Sequence, residues 1–403
     1  MKTIAIVGTF DSKGTECAYV RDIIQGLGLN TLMINSGVFE PTISADVSNE
    51  EIFRAAGVDL NEIIAKKDRA LATEALANGM EKLIPKLYAE GKFDGIISFG
   101  GSGGTSISTP GMRALPIGVP KIMVSTVASG NVSQYVGTSD IMMYPSIVDV
   151  AGLNSISTKI FSNAALAIAG MVKFEHSEVI EKKPLIAATM FGVTTPCVNY
   201  AKAYLEKEGF EVIVFHATGT GGKSMEGLIE AGFFDGVLDL TTTEWCDELV
   251  GGVLNAGPKR LEAAGRFGIP QVVSTGALDM VNFGPMDTIP KEFKGRNFYK
   301  HNPTVTLMRT TIEENKALGL IISEKLNMTK SPTSLMLPLK GVSMIDVEGQ
   351  PFYGPSEDQM LFETLRDNIN KEVVEFIEMD CDINDETFGV AAAKKLIELM
   401  NSK

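Results

Sequence analysis

The residue types best suited to chemistry are gathered in Phe93 to Thr105, F-D-G-I-I-S-F-G-G-S-G-G-T. A short apolar run, Ile96-Ile97-Ser98-Phe99, breaks there into Gly100, Gly101, Ser102, Gly103, Gly104 and Thr105. β-Branched and aromatic residues suit a strand buried on both faces of a sheet. Glycines directly after such a strand let the backbone turn tightly and bring bare N–H groups up to a ligand. A loop rich in donors and free of negative charge suits a phosphate. One glycine would serve a turn, whereas a run of them strips side chains from the whole loop. A ligand loop is therefore preferred to a plain strand-to-helix connection.

Two further loops have the same character. Gly8 to Thr15 (G-T-F-D-S-K-G-T) follows a strand at Ile4 to Val7, and Ser125 to Gly130 (S-T-V-A-S-G) follows one at Lys121 to Val124. In open α/β sheets the loops beyond the carboxyl ends of the strands gather at one edge. Thr9, Lys13, Ser125, Thr126 and Ser129 are thus expected around a phosphate held by the glycine loop. G-T-S-D (Gly137 to Asp140) is placed beside them. Asp11 and Asp140 are candidate ligands for the magnesium that accompanies a polyphosphate. Asp11 reads equally well as the N-cap of the helix that follows it.

The second half of the chain holds other reactive types. A-T-G-T-G-G-K-S (Ala217 to Ser224) fits phosphate-loop spacing with Ala at the first Gly, but it follows a second strand rather than a first. Cys197 lies at a helix start, where the dipole lowers a thiol pKa, although a buried and inert Cys is the commoner outcome. Glu244 closes T-T-T-E, Asp279 lies in G-A-L-D-M-V-N-F-G-P, and His301 opens H-N-P-T. These are acid/base candidates, with Cys197 a candidate nucleophile. No histidine has metal-ligand spacing to a partner.

The elements that must position these residues alternate strand and helix, which implies parallel pairing and a doubly wound, Rossmann-like α/β sheet. The charged stretch Lys173 to Pro184, with His176 read as solvated, reads as a linker between domains at 1–175 and 184–403. After it the pattern recurs. Leu185 to Thr195 repeats the first strand and turn, Gly209 to Gly219 matches Gly28 to Gly37, and Phe234 to Glu244 matches the glycine stretch. Gly268 to Ala277 matches Gly118 to Ala128, and Thr310 to Leu318 matches Thr158 to Leu166. Matches in a common order imply two lobes of common origin, with a cleft expected between their loop edges. The first lobe carries an insertion after its second strand. The second is extended by a strand near Leu335 to Leu337 and by alternation from Pro355 to Met400. T-T-T-E stands where lobe one has glycines, and a carboxylate facing a triphosphate is repulsive. Lobe two is therefore expected to hold a smaller polar molecule or a metal-bridged group instead of a second nucleotide, although T-T-T-E reads equally well as a helix cap.

A net charge of −14 argues against nucleic acid and anionic membranes as partners. No apolar run approaches a membrane span, and the N-terminus reads as a first strand, so a cytoplasmic protein is expected. Its 4 cysteines form no C-x-x-C pair, which signals neither a disulfide framework nor a zinc site.

G-G-S-G-G-T-S, P-I-G-V-P-K, S-T-V-A-S-G, Y-V-G-T-S-D, M-F-G-V-T-T-P-C-V-N, F-H-A-T-G, G-A-L-D-M-V-N-F-G-P and L-M-R-T-T together resemble an uncharacterised family over nearly the whole chain. Its best-known plant relative is the N-terminal domain of the tomato mosaic virus resistance protein. The resemblance implies an ATP-binding, two-domain, homodimeric protein with no established reaction, and it supports ATP in lobe one. In the plant relative the region is fused to a TIM-barrel domain, so a separate TIM-barrel protein is an expected partner. The antiviral role does not carry over, since it depends on a viral partner.

Overall fold

Continuous apolar runs build the sheets. Thr3–Gly8 is buried from Ile4 onward and Gly95–Gly100 throughout, as strands covered on both faces must be. The computed structural model describes residues 1–174 and 183–402, so His176 and most of the charged linker lie outside the described residues. The chain divides into two units, Met1–Val179 and Ile180–Lys403.

Lobe one runs β1 (Thr3–Gly8), α1 (Gly14–Gly26), β2 (Asn30–Asn35), α2 (Asn49–Ala56), α3 (Leu60–Lys66), α4 (Arg69–Ala89), β3 (Gly95–Gly100), α5 (Ser102–Arg113), β4 (Lys121–Ser125), α6 (Ser133–Val136), β5 (Met142–Pro145) and α7 (Ser157–Lys173). Its strands are all parallel, in the order β2-β1-β3-β4-β5. This is the flavodoxin-like doubly wound order, with its switch point between β1 and β3. Alternate strand residues feed two cores. Ile4, Ile6, Ile97 and Phe99 meet α1 and α7, while Ala5, Val7 and Ile96 meet α2, α4 and α5. The insertion is α2, α3 and the start of α4. Ser48 and Glu51 start α2 with a reciprocal capping box, and Asp68 caps α4. α4 is one continuous helix of 21 residues that delivers the chain to β3.

Lobe two continues with β6 (Leu185–Met190), α8 (Thr195–Lys207), β7 (Glu211–His216), α9 (Thr220–Glu230), β8 (Gly236–Thr241), α10 (Glu244–Val250), α11 (Ala263–Phe267), β9 (Gln271–Gly276), β10 (Met280–Phe283), β11 (Phe298–Asn302), β12 (Val305–Arg309), α12 (Ile312–Asn327), β13 (Thr333–Pro338), α13 (Pro355–Asn368), β14 (Val374–Met379) and α14 (Glu386–Asn401). The main sheet is parallel, in the order β14-β13-β9-β8-β6-β7, so its first strands repeat the lobe-one order. An antiparallel sheet, β10-β12-β11, intervenes between β9 and α12 and was not legible as such in the sequence.

One sequence correspondence does not hold in three dimensions. α7 packs on the same sheet face as α1. On the α8 face of lobe two the companion helix is α14, whereas α12 packs on the opposite face, which Val273 rather than Val272 supplies. The match of Thr310–Leu318 to Thr158–Leu166 therefore aligns helices of different position. Among the described residues no helix is long and apolar enough to cross a membrane.

Candidate functional site

At the lobe-one switch point the carboxyl ends of β1, β2 and β3 open onto a cleft of about 810 Å³. Its floor is the glycine loop. Gly101 is the extended N-cap of α5, with no side-chain cap and no acidic residue in the first turn. The first backbone bond of the helix runs from Thr105 N to Gly101 O at 3.0 Å. The N–H groups of Ser102, Gly103 and Gly104 thus precede the helical ladder, at the positive end of the dipole. The glycines have two uses. A Cβ on Gly100 would lie 3.0 Å from Gly104 Cα, and one on Gly104 would lie 3.3 Å from Phe99 O, so these two permit close strand–helix packing. At Gly101 and Gly103 the nearest atoms to such a Cβ are Thr126 Oγ1 and Arg69 Nη2, each at 3.5 Å, and both faces are open.

The walls are tied by buried acceptors. Asn35, 1% exposed, accepts from Phe10 N at 3.1 Å and Gly37 N at 2.9 Å. Asp11 Oδ2 accepts from Val38 N at 3.1 Å and Phe39 N at 3.0 Å. Asp11 is therefore not the N-cap of α1, a position Lys13 holds. It clamps the loop that follows β2. The insertion supplies the far wall, with Ile63, Ile64, Lys67 and Arg69. Lys13, Lys67 and Arg69 face the cleft with Asp11, Asp68 and Asp149. Asp68 Oδ1 is engaged by the amides of Ala70 and Leu71 at 2.9 and 3.1 Å. Lys67 and Arg69 escaped the sequence reading. Their signal was K-K-D-R (Lys66 to Arg69), a basic run at a helix start inside the insertion.

Of the expected phosphate set, Thr9, Lys13 and Gly100 to Gly104 line this cleft, together with Asp11. Thr105 and Ser125 are buried beneath it, hydroxyl to hydroxyl at 2.7 Å, and brace the loop from behind. Thr126 stands beside Gly101, and Ser129 is exposed on the following turn; neither lines the cleft. Asp140 is at the wrong edge. It pairs with Lys121, the first residue of β4, and accepts from Gly118 N at 2.7 Å. Residues that precede a parallel strand lie at its amino end, opposite the cleft, so Asp140 is no partner for Asp11. Among the described residues no group of 3 or more His, Cys, Asp or Glu could hold a metal by itself.

Lobe two resolves the phosphate-loop match differently. Gly219 N and Gly222 N both donate to Glu244 Oε1, at 2.6 and 3.1 Å, and Arg260 Nε donates to Glu244 Oε2 at 2.7 Å. A Cβ on Gly222 would stand 2.1 Å from that carboxylate. The loop that fits phosphate-loop spacing is thus filled by the lobe's own anion. Thr241, Thr242, Thr243 and Glu244 are all buried. Asp279 is buried too; its Oδ2 accepts from Ser343 Oγ at 2.8 Å, and burial raises its carboxyl to about 6 against the pull of Arg309. Cys197 is buried near the start of α8, and burial pushes its thiol well up, against the lowering expected at a helix start. His301 is exposed on β11. These residues do not form one open site.

Fold and cleft together define a class: a doubly wound lobe with backbone amides and cations gathered at its switch point, followed by a second lobe of the same leading strand order. The chain belongs to the family described as uncharacterised protein family UPF0261, matching its N-terminal domain over residues 2–177 and its C-terminal domain over 183–400. It is 56% identical over 400 residues to a UPF0261 protein of Clostridium tetani (strain Massachusetts / E88), covering 99% of each chain. It is 46% identical over 338 residues to the ToMV resistance protein Tm-1(GCR237) of Solanum lycopersicum, covering 82% of this chain and 45% of the tomato protein. Among solved structures, a UDP-GlcNAc 2-epimerase of Methanocaldococcus jannaschii is 10% identical with a TM-score of 0.23, covering 68% of this chain and 83% of its own. A likeness that low says nothing about function.

Proposed function

We propose that lobe one binds ATP or a related nucleotide, with the polyphosphate at the start of α5. The observation that carries this is the pair of open glycines, Gly101 and Gly103, at an uncapped helix start, with the Arg69 guanidinium 3.5 Å from the Cβ position of Gly103. Backbone donors there suit phosphate oxygens, and the helix dipole favours their charge. Lys13 and Lys67 add positive charge on the cleft wall. Magnesium is usually held by one or two carboxylates together with phosphate oxygens, and Asp11 is the carboxylate suited to that role. The cleft volume, about 810 Å³, is within the usual range for small-molecule sites.

Calorimetric titration with MgATP tests this. Gly103→Leu should weaken binding at least tenfold without lowering the melting temperature. Arg69→Ala should cost about tenfold to a hundredfold, as a bond to a charged group worth about 1.5–3 kcal/mol implies. Unchanged affinity in both variants would reject the site.

Two extensions belong to the same proposal. The tomato relative extends beyond the matching region, which is 45% of its length; with the TIM barrel that the family resemblance implies, the chain is read as a homodimeric nucleotide-gated module for such a partner. Light scattering checks the dimer, and ATP-dependent association with the barrel protein, without turnover, checks the module. The alternative is an ATP-consuming enzyme acting on a small polar substrate in lobe two, which Asp279 favours because its buried Oδ1 has no protein partner. Steady ATP hydrolysis on adding metabolites, abolished by Asp279→Asn, would establish it.

A further inference from the structure

We infer that the cleft holds the ring of its nucleotide by stacking and apolar contact alone, and so accepts adenine and guanine nucleotides alike. This rests on the nucleotide reading of the cleft and adds its specificity. The cleft has two chemically different ends. Donors and cations collect at the glycine loop, whereas the wall from the insertion and α4 also carries an apolar stretch: Val38, Phe39, Ile63, Ile64, Ala72 and Leu76. Phe39 and Ile64 are 65% and 39% exposed. Large apolar side chains left open at the rim of a polar cleft suit a flat ring, since every base has a π-face.

Telling adenine from guanine requires hydrogen-bonding groups aimed at the base edge, and the backbone of this wall has spent most of those it could offer. Gly37 N donates to Asn35 Oδ1, and Val38 N and Phe39 N donate to Asp11 Oδ2. Gly37 O accepts from Asn49 Nδ2 at 2.9 Å, and Val38 O is reached by the same amide at 3.5 Å. At the start of α4 the amides of Ala70 and Leu71 are taken by Asp68, and the Thr73 hydroxyl donates to Arg69 O at 2.8 Å. Of the other polar side chains of this wall, Ser36 is 2% exposed at the end of β2, Lys67 and Arg69 are assigned to the phosphates, and Asp68 caps α4. A site that hydrogen-bonds its substrate rejects an analogue by roughly 10⁴-fold or more, whereas an apolar pocket separates similar shapes by only roughly tenfold to a few hundredfold.

The test is calorimetric titration of the full chain with MgATP, MgGTP and magnesium tripolyphosphate, in the native protein and in Phe39→Ala and Ile64→Ala. Both side chains are substantially exposed, so neither variant threatens the fold. We expect ATP and GTP dissociation constants within about tenfold of each other, and weaker tripolyphosphate. Phe39→Ala should weaken both nucleotides by about tenfold and leave tripolyphosphate unchanged, as loss of one stacking partner implies. A preference between the purines beyond tenfold overturns the inference, as does an equal loss of tripolyphosphate in Phe39→Ala. Binding of tripolyphosphate with no gain from a base also overturns it while leaving the phosphate site standing. Failure of all the ligands to bind overturns the nucleotide reading itself.

Discussion

Four glycines in one loop do two different things, and this division is testable residue by residue. A methyl group on Gly100 would meet Gly104 Cα at 3.0 Å, a backbone neighbour that cannot swing away. Gly100→Ala should therefore lower stability by about 1–3 kcal/mol, the usual cost of overpacking. At Gly103 the same methyl meets only the end of the Arg69 side chain. Gly103→Ala should raise stability by up to about 1 kcal/mol, because a helical glycine loses extra backbone entropy on folding. Urea denaturation of the two variants gives the comparison, and an equal loss in both would show that all the glycines serve packing. Cys197 supplies a second check. A buried thiol with a raised pKa is a poor nucleophile. Iodoacetamide at pH 8 should leave it unmodified in the native chain by mass spectrometry; rapid labelling would restore it as a nucleophile candidate.

At the scale of elements, the two lobes solve one problem in two ways. The loop after the second strand exposes amides that need an acceptor. In lobe one Asp11, from the loop after β1, satisfies Val38 and Phe39, and the loop after β3 stays open. In lobe two the acceptor is Glu244, from the loop after β8, which is the counterpart of β3. The carboxylate that closes the α9 start is thus the one that would have faced a ligand. Glu244 also shares the buried Arg260 with Asp239 and Glu226. Removing one member of a buried charge network leaves uncompensated charge and unpaired amides. Glu244→Ala should cost about 3–5 kcal/mol in lobe-two stability while leaving MgATP affinity unchanged. Loss of affinity in a fully folded variant would contradict the assignment of the nucleotide to lobe one.

For the whole chain the proposed site predicts one nucleotide per polypeptide, and a stoichiometry near two by calorimetry would be incompatible with a closed loop at α9. Acidity should act mainly through lobe two. Burial raises the carboxyl of Asp247 from an ordinary 3.8 to about 7 and that of Asp279 from 3.8 to about 6. Asp346, crowded with Asp279 and Asp358 around Arg309, is raised to about 10, first by burial and then by those carboxylates. In the unfolded chain these groups titrate at their ordinary value. Their stabilising contribution is therefore complete below pH 4 and is lost as pH rises through the folded values. A carboxyl that stays protonated one pH unit higher in the folded chain changes stability by about 1.4 kcal/mol, so urea midpoints for lobe two should fall between pH 5 and pH 8. Asp247→Asn should flatten that fall, and a midpoint that rises over the range would refute the sign.

The sequence by itself determined the strand–helix alternation, the parallel pairing, the recurrence of the leading strands in the second lobe and the placing of the glycine loop at a carboxyl edge. These are local properties: apolar runs make strands, glycines mark the turns, and parallel pairing follows from the alternation. It also contained the means to exclude Asp140, since a residue just before a parallel strand has to lie at the amino edge. Tertiary structure alone decided what each loop faces. Arg69 reaches Gly103 only because the insertion folds back over the sheet, and Glu244 becomes the occupant of a phosphate-loop-like turn only because β8 delivers it under α9. The helix match of Thr310–Leu318 failed for the same reason, since similar helical periodicity says nothing about which sheet face a helix covers. Charge partners and burial depend on elements distant in sequence, and no local pattern encodes which of them meet.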